Sequence, residues 1–186
     1  HADPCAAPSL SSSGARKLMQ DPPAVFWHER QHPKKRTKAM NFGSGAHEWL
    51  LEPETFKDRH FILSENHNSR TNAGKAERAE AEAEGLRVLT HMEWIDLQGM
   101  REAVLAHPYA MAAFENGLPE KSLIWQDRDT GVWCRSKPDY LPGRGRIYAD
   151  YKTTLSVRTV DLQSTIKNYG YHQQASWYSD RFRALG

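Results

Sequence analysis

Asp150 and Lys152 stand two apart in the run "RIYADYKTT", residues 146–154. Alternate residues of an extended strand point the same way, so this acid and this ammonium share one face. Upstream, "KPDYL" sets Asp139 directly after Pro138, and "LPGRGR" between the two runs carries the residues of a tight hairpin turn. A hairpin that pairs Tyr140 near Ile147 places Asp139 opposite Tyr148 and diagonal to Asp150, about 7 to 8 Å away between backbones. Asp139, Asp150 and Lys152 then converge on one face, and a slip of one residue would turn one strand's set to the other side. Two carboxylates at that spacing can share a hard divalent cation such as magnesium, which takes oxygen ligands and keeps waters for a substrate phosphate. Lys152 would stabilise the developing charge or orient the attacking water, which is the chemistry of phosphodiester hydrolysis. An Asp-x-Lys triplet alone arises by chance about once in two chains of this length. The Pro-Asp pair and the turn between the two runs are what make the pattern informative.

These residues need elements to hold them. Ser11, Ser12 or Ser13 can cap a first helix over "GARKLMQ", and "DPPAVFWHERQ" reads as a short second one ending near His32-Pro33. From Thr37, Met40, Ala46, Leu50 and Leu51 recur at helical spacing until Pro53, which puts His47 on a largely buried helix. "FILSE" is a short strand or an extended loop, and the Ala/Glu-rich run 73–85 is a solvated helix closed by Gly85. Residues 92–116 form two helices broken at "HPY", with Trp94, Ile95, Leu97, Met100, Val104 and Leu105 as a core stripe. Then "KSLIWQD" and "GVWCRSKPDYL" read as strands around the turn "RDTG", their tryptophans as core. A single helix over "NYGYHQQASWYSDRFRAL" closes the chain. Helices, a compact meander and a last helix give an α/β (α+β) domain with a central mixed sheet flanked by helices.

The chain has 186 residues, which suits one domain, expected over 11–186 after a flexible lead-in at 1–10. Lys and Arg number 25 against 23 Asp and Glu, so any case for an anionic partner rests on local patches. Lys34, Lys35, Arg36 and Lys38 are one such patch, and Arg135, Lys137, Arg144 and Arg146 another; each is a phosphate-tracking rim or a solvated turn. Cys5 and Cys134 are too few for a disulfide scaffold, so a cytoplasmic protein is expected. The N-terminus lacks an apolar targeting core and no run approaches 18 apolar residues, so no membrane partner is expected.

Taken together, these motifs resemble the PD-(D/E)XK nuclease superfamily, with Pro138-Asp139 and Asp150-Tyr151-Lys152 as its two halves. The resemblance extends over most of the chain to the exodeoxyribonuclease VIII (RecE-like) phage and prophage recombination nucleases. "SLSSSGARKLMQDPPAVFW" is similar to that group's opening helix, and "GSGAHEWLLEP" to the helix whose histidine, here His47, is a metal ligand. "LPEKSLIWQDRDTGVWCRSKPDYL" resembles the stretch carrying an acidic residue and then the metal aspartate, here Glu120 and Asp139. "YHQQASWY" resembles the QxxxY motif of related end-processing exonucleases, here Gln174 and Tyr178, which share a helical face and reach the site or the DNA together.

The resemblance implies a restriction-endonuclease-like core and a metal held by His47, Asp139, Asp150 and the Tyr151 carbonyl. It implies catalysis by Asp139, Asp150 and Lys152, with Glu120 beside them, and a place at the site or the DNA for Gln174 and Tyr178; DNA contacts from Arg135, Arg144 and Arg146 are expected from the basic rim alone. The metal would be magnesium, with manganese a substitute that accepts imidazole more readily. The activity implied is a DNA exonuclease acting on duplex ends, 5′ to 3′, in phage-type recombination. A single-strand annealing protein is the implied partner and a homo-oligomeric ring the implied assembly. In that group the nuclease domain usually continues with a further strand and helix, so the resemblance leaves open a short protein or a fragment ending at Gly186. Two alternatives stay open: a structure-specific or CRISPR-associated nuclease of the same superfamily, and a DNA-binding module that kept the fold and lost activity. Read alone, His47 is a core histidine, Glu120 a strand cap, and Gln174 and Tyr178 ordinary packing.

Overall fold

Ser11 does two jobs at the start of the chain. The computed structural model describes residues 5, 8–33, 35–143 and 148–185. In it, Ser11 belongs to β1 (Leu10–Ser11) and its hydroxyl also accepts the N–H of Gly14, capping α1 (Ser12–Gln20). β1 runs parallel to the strand Trp133–Ser136, with Leu10 beside Cys134 and Ser11 beside Arg135, so the first helix leaves from the sheet at a fixed point. α2 (Pro23–Gln31) starts with proline in its first turn, and α3 (Lys38–Leu51) starts where the Thr37 hydroxyl accepts the N–H of Met40. A short α4 (Phe56–Arg59) leads into β2 (His60–Ile62). α5 (Asn72–Ala83) crosses over to β3 (Arg87–Leu89), which lies parallel to β2.

The core forms where α3 meets α6 (His91–Ala106), a helix opened by a reciprocal cap between Thr90 and Glu93. Ala46, Phe56, Leu89 and Leu97 are buried there, and Trp49, Trp94, Met100 and Tyr151 pack against them. Burying each large side chain contributes about 1.5 to 3 kcal/mol. Gly45 lets the helices approach, since a Cβ on it would lie 3.0 Å from Leu97 Cδ1. The apolar stripe on α6 is narrower than its sequence pattern predicts: Leu97 is buried, whereas Ile95 and Leu105 are exposed. On α3, Met40 is likewise exposed, because five and six residues before the buried Gly45 and Ala46 it points to a different side of the helix. α7 (Pro108–Ala112) follows the predicted break at His107-Pro108.

β4 (Gly117–Pro119), β5 (Leu123–Gln126), β6 (Trp133–Ser136) and β7 (Tyr140–Pro142) complete the meander. β5 and β6 form the expected hairpin, its turn fixed by Asp127 Oδ1, which accepts from the amide and hydroxyl of Thr130. Among the described residues, β1, β6 and β5 make a mixed three-stranded sheet, with β2–β3 and β4–β7 as separate two-stranded ladders. Trp125 is buried as expected, but Trp133 is partly exposed on the outer face of the hairpin. The run 148–154 is extended without forming a strand of its own; it touches β7 through one antiparallel bridge, Tyr140 to Ala149. No helix is long and apolar enough to cross a membrane among the described residues.

The closing helix is two helices. α8 (Thr159–Tyr169) stops at Gly170, which takes the left-handed conformation at φ 67°, and α9 (Tyr171–Leu185) restarts at once. Glycine adopts this conformation without strain. The corner is also crowded, since a Cβ on Gly170 would lie 2.3 Å from Arg16 Nη1 on α1. Gly170→Ala is therefore expected to destabilise the protein by about 1 to 2 kcal/mol, read as a melting temperature lowered by several degrees. An unchanged melting temperature would show that α8 and α9 do not need this corner.

Candidate active site

Pro138 is fully buried and delivers Asp139 to the start of β7 with a side chain only 11% exposed. On one side, the N–H of Glu120 donates to the Asp139 carbonyl at 3.0 Å, which continues the β4–β7 ladder and sets Glu120 level with Asp139. On the other, the bridge from Tyr140 to Ala149 sets Asp150 level with Asp139. Three neighbouring segments thus bring one acid each to the same height. The hairpin expected from sequence paired Tyr140 with Ile147, so the register differs by two residues. A shift of two keeps every side chain on its face and moves Asp150 from a diagonal to a direct neighbour of Asp139.

Asp139 Oδ2 is the centre of the arrangement. It accepts the main-chain N–H of Tyr151 at 2.5 Å, lies 3.4 Å from His47 Nδ1 and 3.9 Å from Lys152 Nζ. Lys152 Nζ also pairs with Asp150 Oδ2, and Lys137 Nζ with Glu120 Oε2. His47 arrives from α3, where its neighbour Ala46 is buried in the core, and its ring lies 5.4 Å from that of Tyr151. Tyr151 faces the core between Asp150 and Lys152, as strand alternation requires. Glu120 has φ 54°, an uncommon conformation for a residue with a side chain and one that clusters at functional sites.

α9 supports the acids from behind. Gln174 Nε2 donates to Asp150 Oδ1 at 3.2 Å and to Tyr178 Oη at 3.0 Å, and Tyr178 Oη donates to the Lys137 carbonyl at 3.0 Å. Tyr178 is buried, so the pair expected to reach the site or the DNA lies behind the site, Gln174 touching Asp150 and Tyr178 touching main chain. Trp177 Nε1 donates to the Arg135 carbonyl at 2.9 Å and fastens the same helix to β6. Burial, and then the charge of Asp139, push the Asp150 carboxyl above its ordinary range, while Lys152 pulls it back. Burial also raises the Tyr178 hydroxyl well above the usual phenol.

His47, Glu120 and Asp139 each offer a ligand atom within 4.8 Å of the others. Two carboxylates and one imidazole suit a divalent cation. The set expected from sequence contained Asp150 and the Tyr151 carbonyl in place of Glu120. Here the Asp150 oxygens face Lys152 and Gln174, and Tyr151 engages Asp139 through its N–H. Arg135 reaches away to the carbonyl and hydroxyl of Ser9. Arg36 folds back onto Asn41, the Met40 carbonyl and Ser44, which ties the basic loop to α3. Arg144, Arg146 and Lys34 lie outside the described residues. Sequence reading missed Tyr171, whose ring lies 5.4 Å below Lys152 Nζ; the only signal for it was its place one turn before Gln174.

Residues 11–184 match a family described as a PDDEXK-like domain of unknown function (DUF3799). No curated protein matches the chain. Asp139→Ala is expected to weaken manganese binding about tenfold or more in calorimetric titration, whereas Lys152→Ala leaves it within about threefold, since Lys152 is no ligand. Equal losses in the two variants would remove Asp139 from the ligand set.

Proposed function

Because the chain belongs to the DUF3799 family of PDDEXK-like domains, a nuclease type of fold, we propose that it is a magnesium-dependent exodeoxyribonuclease. It hydrolyses phosphodiester bonds at duplex DNA ends, 5′ to 3′, in phage-type recombination. The observation that carries the hydrolytic part is the alignment of Glu120, Asp139 and Asp150 on adjacent segments, with Lys152 beside two of them. The polarity, the duplex-end substrate and the recombination setting rest on the likeness of "GSGAHEWLLEP" and "YHQQASWY" to exodeoxyribonuclease VIII. An annealing protein as partner and a ring assembly belong to the same likeness.

His47, Glu120 and Asp139 would hold the cation, and Asp150 would join them once Lys152 turns from it to the substrate. A divalent cation held there supplies polarisation of a phosphoryl oxygen and acidification of a water. Lys152 brings its ammonium to the charge that develops on the phosphoryl oxygens, and the Tyr171 ring beneath it limits where that ammonium can go. Gln174 holds Asp150 in one orientation, so the carboxylate does not have to be ordered as substrate arrives. The Tyr151 N–H fixes Asp139 in the same way.

End-labelled linear duplex and covalently closed circles, incubated with magnesium or with chelator, test this reading. Linear DNA should be degraded from its 5′ ends, circles should survive, and chelator should stop the reaction. Lys152→Ala should slow degradation by roughly 100-fold or more. Circles cut as fast as linear DNA would overturn the exonuclease reading, and no cleavage of any nucleic acid with magnesium or manganese would overturn the enzyme.

A further inference from the structure

A cavity of about 610 Å³ lies between the start of α1, the end of β6 and the corner where α8 meets α9. Gln174 and Tyr178, which support Asp150 from behind, form one wall, so the cavity adjoins the acids. Its other walls carry Arg16, Lys137 and Ser136. Arg16 is held across Gly170 without a carboxylate partner among the described residues. Arg16, and Lys137 beside its partner Glu120, bring two cations to one space, which suits a phosphate.

Tyr169 stands at the rim of the same cavity and is 63% exposed. Its ring stacks on Tyr171 at 5.8 Å with the planes 18° apart, and Tyr171 in turn lies under Lys152. A line of lysine, ring and ring therefore runs outward from the acids and ends in an open aromatic face. Such a face is where a nucleobase stacks, and every base has one to offer.

We propose that this cavity is a nucleotide subsite of the nuclease centre, in which Tyr169 stacks on an unpaired base while Arg16 and Lys137 hold the adjoining phosphate. The inference rests on the nuclease reading above and adds to it that the strand is held single-stranded beside the acids. A base inside a duplex has both faces covered by its stacked neighbours, so Tyr169 can meet only an unpaired base or the outermost base of an end.

The test is binding of two labelled single strands of equal length, oligothymidylate and a wholly abasic phosphodiester chain, to the full chain in chelator. Wild type should prefer oligothymidylate. Tyr169→Ala should lose about tenfold in affinity for it and nothing for the abasic chain, and Tyr169→Phe should behave as wild type. Arg16→Ala should weaken both probes alike. Equal binding of the two probes by wild type, an effect of Tyr169→Ala on both, or a loss in Tyr169→Phe matching that in Tyr169→Ala would overturn the subsite. DNA cleavage without the Tyr169 effect would leave the nuclease standing and remove the subsite. Base-selective binding without cleavage would do the reverse.

Discussion

The bond from the Tyr151 N–H to Asp139 Oδ2 joins the parts of the molecule that have to agree. Asp139 enters on β7 behind a buried proline, and Tyr151 is anchored by its ring in the core between α3 and α6. One hydrogen bond between them sets the carboxylate against the extended run that carries Asp150 and Lys152. A charged acceptor makes such a bond stronger than a neutral pair. The run 148–154 has only one bridge to β7, so this side-chain bond does work that a longer ladder would otherwise do.

Close acids in a partly buried place repel one another, and the protein answers with lysines. Lys152 pairs with Asp150 and Lys137 with Glu120, while His47 stands beside Asp139. Each acid in the row therefore has a positive or potentially positive neighbour. Burial, and then the charge of Asp139, push the Asp150 carboxyl upward, and Lys152 pulls it back. A divalent cation would relieve what the lysines leave over and would free Lys152 to meet a phosphate.

Much of this was legible in the chain. The serine cap of α1, the helix after Thr37, the hairpin around "RDTG" and the face shared by Asp150 and Lys152 follow from local rules about turns and alternation. What was not legible depends on contacts distant in sequence. Pairing Tyr140 with Ala149 instead of Ile147 is a choice between registers that bury the same faces, so alternation cannot decide it. Glu120 sits opposite Asp139 because β4 pairs with β7, and no local pattern announces that Gly117–Pro119 is a strand. Ile95 and Leu105 look like core on a helical wheel, yet α6 is covered along one line only. Gly170 reads as one more residue of a long helix until Arg16 is seen lying across it.

That corner also links the first helix to Asp150 on the extended run 148–154. α1 is fixed to the sheet through Ser11, and its Arg16 lies over Gly170 at the start of α9. α9 then carries Gln174 to Asp150, and Trp177 and Tyr178 to the main chain of Arg135 and Lys137. Any shift of α9 would move Gln174 and release the Asp150 oxygen that it holds. The sheet, the first helix and the last helix therefore form one closed loop of contacts around the acids. A rotation of either helix that lost one of these bonds would strain the others, which is how a site built on a single bridge keeps its geometry.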